Sequence, residues 1–175
     1  MYLLIDAARI RDKMPWLREN GQKHDSLYRG LSEEELSEVG PWLFEFPGGD
    51  AFASKVFHEG WGESWGVLLE TEADFETCWR HFRKFLIVKT EEGEELYFRF
   101  YDPRVLKIFL PTCDEAQLRE FFGPVNRFIV EGDSNEDAIA FALRNGELEQ
   151  TMMSAASIFG AIALKQHAPQ EDEPN

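Results

Sequence analysis

Short apolar runs and segments of helical periodicity take turns along the first 124 residues, most of them closed by Gly or Pro. Tyr2–Ile5 is a continuous apolar run bounded by Asp6 and reads as a buried strand; Trp42–Phe46 and Gly66–Glu70 read the same way. Between them lie stripes of helical spacing: Ile10, Met14 and Leu17; Phe52, Val56 and Phe57; Phe75, Cys78, Trp79, Phe82 and Leu86; Val105, Leu106, Phe109 and Leu110. A strand and a helix each bury only one face or stripe unless covered, so such alternation requires stacked layers. The predicted fold is α/β (α+β), a mixed β-sheet flanked by helices, with a smaller C-terminal subregion.

The punctuation is specific. Pro15 weakens or kinks a helix over 7–19, because it lacks the N–H and clashes with the preceding turn. Ser32-Glu-Glu-Glu35 has the form of a capping box, with Leu31 and Leu36 as its staple. Pro47-Gly48-Gly49 reads as a turn, Asp50 and Thr71 as helix caps, and Thr112-Cys-Asp-Glu115 as a second capping box. Asp102-Pro103 places a capping carboxylate before a proline at the first helical position, where its missing N–H costs nothing. Phe85–Lys89 and Leu96–Tyr101, joined by the charged turn Glu91-Glu-Gly-Glu94, predict a hairpin. After Pro124 the pattern changes. Phe128–Val130 reads as a strand, and Ile139, Phe141 and Leu143 alternate with small residues before Asn145-Gly146, a strong hairpin signal. Ser154–Gln166 is helical and Ala-rich, and the acidic, Pro-containing stretch from His167 to Asn175 is expected to be disordered. The predicted division is residues 1–124, an α/β domain; 125–166, a subregion of strands plus a helix; and 167–175, a tail.

Of the 175 residues, 43% are hydrophobic and 14% aromatic, which excludes intrinsic disorder of the body of the chain. The formal net charge is −15. A field of that sign repels nucleic acid and an anionic membrane, and it suits a basic or apolar partner. Nine acids face only two bases, Arg144 and Lys165, after residue 130. Cys78 and Cys113 form no spaced framework and read as reduced thiols. The opening run lacks a basic region and is too short for a signal peptide, and the uncharged stretch Met152–Leu164 falls short of the ~20 residues of a membrane span. The expectation is a soluble, cytoplasmic protein without a membrane span.

Gly62-Glu-Ser64-Trp-Gly66 matches the G-x-S-x-G of a hydrolase nucleophile elbow, but that elbow needs a strand before the serine and a helix after it, the reverse of the order here. The histidines His24, His58, His81 and His167 are scattered, and no H-E-x-x-H or C-x-x-C occurs. No phosphate-cradling loop is present either. The expectation is therefore no catalytic residue, no metal and no cofactor. Phe98-Arg-Phe-Tyr-Asp102-Pro-Arg104 is the most distinctive stretch, because it embeds charges among aromatics, where they need partners. Arg104 sits against the positive end of its helix dipole and calls for a carboxylate. Asp6, at the end of the first strand, is the candidate, so Asp6, Arg99, Asp102 and Arg104 are expected to form a structural charge cluster.

Leu3-Leu-Ile-Asp-Ala-Ala8, Ser26-Leu-Tyr-Arg-Gly30, Gly40-Pro-Trp-Leu43, Trp65-Gly-Val-Leu-Leu69, Trp79-Arg-His-Phe-Arg-Lys84, Phe98–Leu106 and Phe121-Phe-Gly-Pro124 occur in this order. Together they resemble the type VI secretion system effector adaptor, or chaperone, family (Tap or Tec) over residues 1–124. The resemblance implies a cytoplasmic, non-enzymatic protein that binds one secreted effector and helps load it on the VgrG spike. His81 departs from the family's more frequent His-Leu-Arg at that place. Two other classes remain open: a small serine hydrolase using Ser64, and an acidic immunity or inhibitor protein directed at a basic toxin. Because the resemblance stops at Pro124, cargo contact is expected in residues 125–166. Ile158, Phe159 and Ile162 form an apolar stripe there, and Ala156 and Gly160 leave room for a close helix.

Overall fold

A computed structural model of the chain describes residues 1–31, 34–47, 50–89 and 92–165, with the backbone alone for 34 and 161–165. The expected capping box at Ser32, the Pro47-Gly48-Gly49 and Glu91–Glu94 turns, the tail from His167 and the side chain of Ile162 lie wholly or partly outside the described residues.

Among the described residues nine strands form: β1 (Tyr2–Asp6), β2 (His24–Ser26), β3 (Pro41–Glu45), β4 (Gly66–Glu70), β5 (Ile87–Lys89), β6 (Glu95–Tyr97), β7 (Arg127–Glu131), β8 (Asp137–Arg144) and β9 (Glu147–Ser154). The same residues form six α-helices: α1 (Met14–Asn20), α2 (Ala51–Lys55), α3 (Phe75–Arg83), α4 (Pro103–Phe109), α5 (Glu115–Phe122) and α6 (Ala155–Lys165). The main sheet has seven strands in the order β2-β3-β1-β4-β7-β8-β9, and β5-β6 is a separate hairpin. The architecture is α+β, as expected, but every pairing in the large sheet is antiparallel. The expected mixed sheet is corrected on this point to an antiparallel one. Here β3 and β4 do run in one direction, yet β1 lies between them and pairs with both.

Both faces of the sheet's centre are covered, which is why β1, β3 and β4 read as unbroken apolar runs. Tyr2, Leu4, Val67, Leu69, Phe128, Val130 and Phe141 point into one core with Phe75, Trp79 and Phe82 of α3, Leu106 of α4 and Phe121 of α5. Leu3, Ile5, Phe44, Leu68, Ile129 and Ala140 point the other way, into a core with Leu17 of α1, Phe52 of α2 and Ile158 of α6. The strands after Pro124 do not make a layer of their own: β7 pairs with β4 and continues the sheet that begins at β1.

Several boundaries move for local chemical reasons. Pro15 opens α1 instead of kinking a longer helix, and the preceding residues form turns. Asp74, not Thr71, caps α3 by accepting from the Thr77 N–H at 2.7 Å. The Thr71 hydroxyl instead donates to the Pro124 carbonyl. Asp114, not Thr112, caps α5, in a reciprocal box with Gln117. In both cases a carboxylate two or three residues further on displaces the hydroxyl as the acceptor. Strand β2 was not anticipated; its three residues give no usable period.

Candidate functional site

The charged residues of the aromatic stretch assemble at the end of β1. The Asp6 carboxylate is 1% exposed; it accepts from Arg99 at 2.5 Å and from the Ala8 N–H at 3.1 Å. Asp102, 2% exposed, caps α4 through the Arg104 N–H and accepts a two-pronged bond from the Arg104 guanidinium at 2.9 and 2.6 Å, with Arg99 3.6 Å away. The four residues therefore form one chain, Asp6–Arg99–Asp102–Arg104, but the expected pairing is corrected. Arg104 is met by its own helix cap, and Asp6 belongs to Arg99. Burial pushes the Asp102 carboxyl up, and the bonds and charge from Arg104 and Arg99 outweigh it, leaving its pKa below the ordinary value. Burial, followed by the Asp6 charge, drives the neighbouring Tyr101 phenol far upward. Both guanidinium groups are about half exposed and both carboxylates are buried, so the cluster ties β1 to the start of α4.

The Gly-rich loop before β4 has a different occupant from the one a hydrolase requires. Ser64 adopts φ 56° and Gly62 φ 90°, which turns both backbone N–H groups onto the Glu131 carboxylate, at 3.0 and 2.8 Å. The Ser64 hydroxyl donates to the same carboxylate at 2.6 Å, and Ser64 is only 5% exposed. A Cβ on Gly62 would lie 2.2 Å from the Asn135 side chain, so glycine is required there by space as well as by φ. The loop is a small nest of donors filled by a strand residue of the same chain. Composition gave no sign of this, since Glu131 follows the apolar run of β7 as an ordinary boundary acid.

Ile158 and Phe159 do not stand free. Ile158 is 4% exposed in the second core, and the Phe159 ring packs against Phe46, Phe57 and Trp61. Both hold α6 to the sheet. Cys78 and Cys113 are free thiols; burial pushes the Cys78 thiol up to about 11. His81 is buried and donates from Nε2 to the Phe121 carbonyl at 2.8 Å. Among the described residues no group of three His, Cys or acidic side chains is placed to hold a metal ion.

A concave apolar surface lies elsewhere. Phe85, Val88, Phe98, Phe109 and Phe121 line a groove of about 360 Å³, edged by Gln117 and Glu120. Val88, 38% exposed, lies opposite Leu96, 50% exposed, across the β5-β6 hairpin, and Tyr97 is 59% exposed. A second, polar cleft of about 760 Å³ brings Arg119, Arg127 and Arg144 together with Glu70 and Asn126. Each arginine there is paired: Arg119 with Glu115, Arg127 with Glu70 and Arg144 with Glu149.

A family model described as a domain of unknown function, DUF4123, matches residues 1–120. The chain belongs to this family. The match includes the whole charge cluster, the Gly62–Ser64 loop and every aromatic lining residue of the groove except Phe121. It ends inside α5, before Glu131 fills the Ser64 loop and before β7 completes the centre of the sheet. The matched stretch is thus completed by strands that lie outside it. No curated protein and no solved structure matches the chain. Among the described residues no helix is long and apolar enough to cross a membrane.

Proposed function

We propose that the chain is an effector adaptor of a type VI secretion system: a cytoplasmic chaperone that binds one secreted effector and helps load it on the VgrG spike. The observation that carries this reading is the groove walled by Phe85, Phe98, Phe109 and Phe121 and continued by the exposed Val88 and Leu96. Exposed apolar residues grouped around a concave surface mark a place where a protein partner inserts its own apolar side chains. The ordered motifs from Leu3 to Pro124 supply the family likeness, and DUF4123 membership is consistent with it. Ser64 favours the same reading over a hydrolase, because its hydroxyl is buried and donates to a carboxylate rather than to a histidine.

The test is co-purification of the full chain with the products of the genes beside its own. The expected result is a stable complex with one effector and with the spike protein, weakened by Val88→Asp and Leu96→Asp without loss of fold. Retention of neither neighbour overturns the reading, and hydrolysis of generic esters that disappears in Ser64→Ala replaces it with an enzyme. The charge of −15 favours one other class, an inhibitor of a basic toxin. Gene order separates the two, since an adaptor gene lies between a spike gene and an effector gene.

A further inference from the structure

The seven-stranded sheet ends very differently on its two sides. β2 is three residues long and β9 is eight. β9 pairs with β8 at every position from Glu147–Arg144 to Ser154–Asp137, without a bulge. The two-residue turn between them, Asn145 at φ 53° and Gly146 at φ 88°, closes on the pair Arg144–Glu147. In a hairpin of that kind the closing pair exchanges both backbone bonds, and so does every second pair after it: Glu149 with Ala142, Thr151 with Ala140, Met153 with Ala138. The N–H and C=O groups of Leu148, Gln150 and Met152 consequently point away from the sheet. No described residue bonds to them, whereas the Ser154 carbonyl already accepts from the Ser157 hydroxyl.

Protein edge strands are ordinarily blunted by shortness, lysine, proline, a bulge or a covering element, because an open row of backbone groups recruits another strand. β2 is blunted by its length. Among the described residues β9 carries none of these devices, and its only charges are Glu147 and Glu149: Glu147-Leu-Glu-Gln-Thr-Met-Met-Ser154 has no Lys and no Pro, six of its eight residues are exposed, and Met152 is 57% exposed. We propose that the free edge of β9 accepts an extended segment of a partner protein as an eighth strand, and that this segment is basic on one face and apolar on the other. The side-chain chemistry selects that occupant. Glu147 and Glu149 share one face of the edge with Arg144, which lies 3.5 Å from Glu149 and opposite Glu147. One negative charge is left in excess there and calls for Lys or Arg on the incoming strand, while Met152 on the other face calls for an apolar residue. A second copy of the chain is disfavoured, since it brings another net charge of −15 and two more glutamates to the same edge. The inference goes beyond the adaptor reading and stands without it, because it concerns main-chain pairing at the sheet edge and not the aromatic groove.

The test uses the full chain and a ten-residue peptide of alternating Lys and Val, followed by amide exchange. The expected result is that the peptide slows exchange at Leu148, Gln150 and Met152 by about tenfold or more, while the amides already bonded to β8 keep their rates. Gln150→Pro removes an N–H that β8 does not use, so it should abolish the protection and keep the native melting temperature. Met152→Lys provides a second variant that blunts the edge without a backbone change. The proposal is overturned if millimolar peptide protects none of the three amides, if both variants bind like the native chain, or if an alternating Glu and Val peptide binds equally well. Protection in the chain alone that fades on dilution assigns the edge to a second copy, and protection lost on ending the chain at Lys165 assigns it to the chain's own last residues; either outcome overturns the proposal.

Discussion

Asp6 and Asp102 are both buried carboxylates, but they differ in what remains when one arginine is removed. Without Arg104, Asp102 still caps α4 through the Arg104 backbone N–H and still has Arg99 at 3.6 Å. Without Arg99, Asp6 keeps the Ala8 N–H but has no guanidinium within 4 Å among the described residues. Breaking a fully buried pair costs about 3–5 kcal/mol, and solvent at the half-exposed guanidinium groups reduces that. Arg99→Ala should therefore cost about 2 kcal/mol and Arg104→Ala about 1 kcal/mol, read from urea unfolding; the reverse order would show that Asp6 does not depend on Arg99. The folded Asp102 pKa is lowered, so its contribution is present above the unfolded value near ~3.9 and is lost as pH falls through the lower folded value. The stability gap between the native chain and Arg104→Ala should accordingly narrow below about pH 4. At the Ser64 loop, Glu131→Ala leaves three donors without their acceptor and should cost about 2–4 kcal/mol, with Glu131→Gln in between. Equal stability of Glu131→Ala in thermal unfolding would mean that water replaces the carboxylate at no cost.

At the scale of elements, what was legible is what is settled by neighbours a few residues away. The apolar runs of β1, β3 and β4, the Asp102-Pro103 start of α4 and the Asn145-Gly146 hairpin were readable because periodicity, capping and turn chemistry are local. Thr71 and Thr112 misled because Asp74 and Asp114 stand nearby and carboxylates out-compete hydroxyls for the first-turn N–H groups. Gly66 opens β4 for a reason that no local rule provides. A Cβ there would stand 1.8 Å from the Leu4 carbonyl oxygen, which belongs to the paired strand β1 and cannot swing aside. Gly66→Ala should force the two central strands apart and remove the cooperative thermal transition. A variant that melts like the native chain would show that the β1-β4 pairing tolerates a wider spacing.

For the whole molecule, the boundary suggested by the motifs and the family match falls next to the middle of the sheet. β7 pairs with β4, and Phe128, Val130 and Phe141 belong to the core shared with α3 and α5. A chain ending at Pro124 would expose one side of β4 and lose those residues from the core. Residues 1–124 alone should give no dispersed amide spectrum and should bind hydrophobic dyes. A folded, cooperative fragment would show instead that β7–β9 add on to a finished domain.

The sequence by itself determined the class of layers, the helix-forming stripes, most strand positions and the presence of charges that need partners among the aromatics. These follow from spacing and from residue chemistry within one element. Only the tertiary structure decided which groups meet. Arg99 finds Asp6 across 93 positions of the chain and Glu131 finds Ser64 across 67, and in neither pair does a local pattern identify the partner. It also decided that Ile158 and Phe159 face their own core while Val88 and Leu96 face outward, since an apolar residue looks the same in sequence whether its neighbour is its own domain or open solvent. Strand order belongs to the same level: β1 separates β3 from β4, and β9 is left at the edge, because hydrogen-bond pairing is a choice among strands that period and composition do not rank.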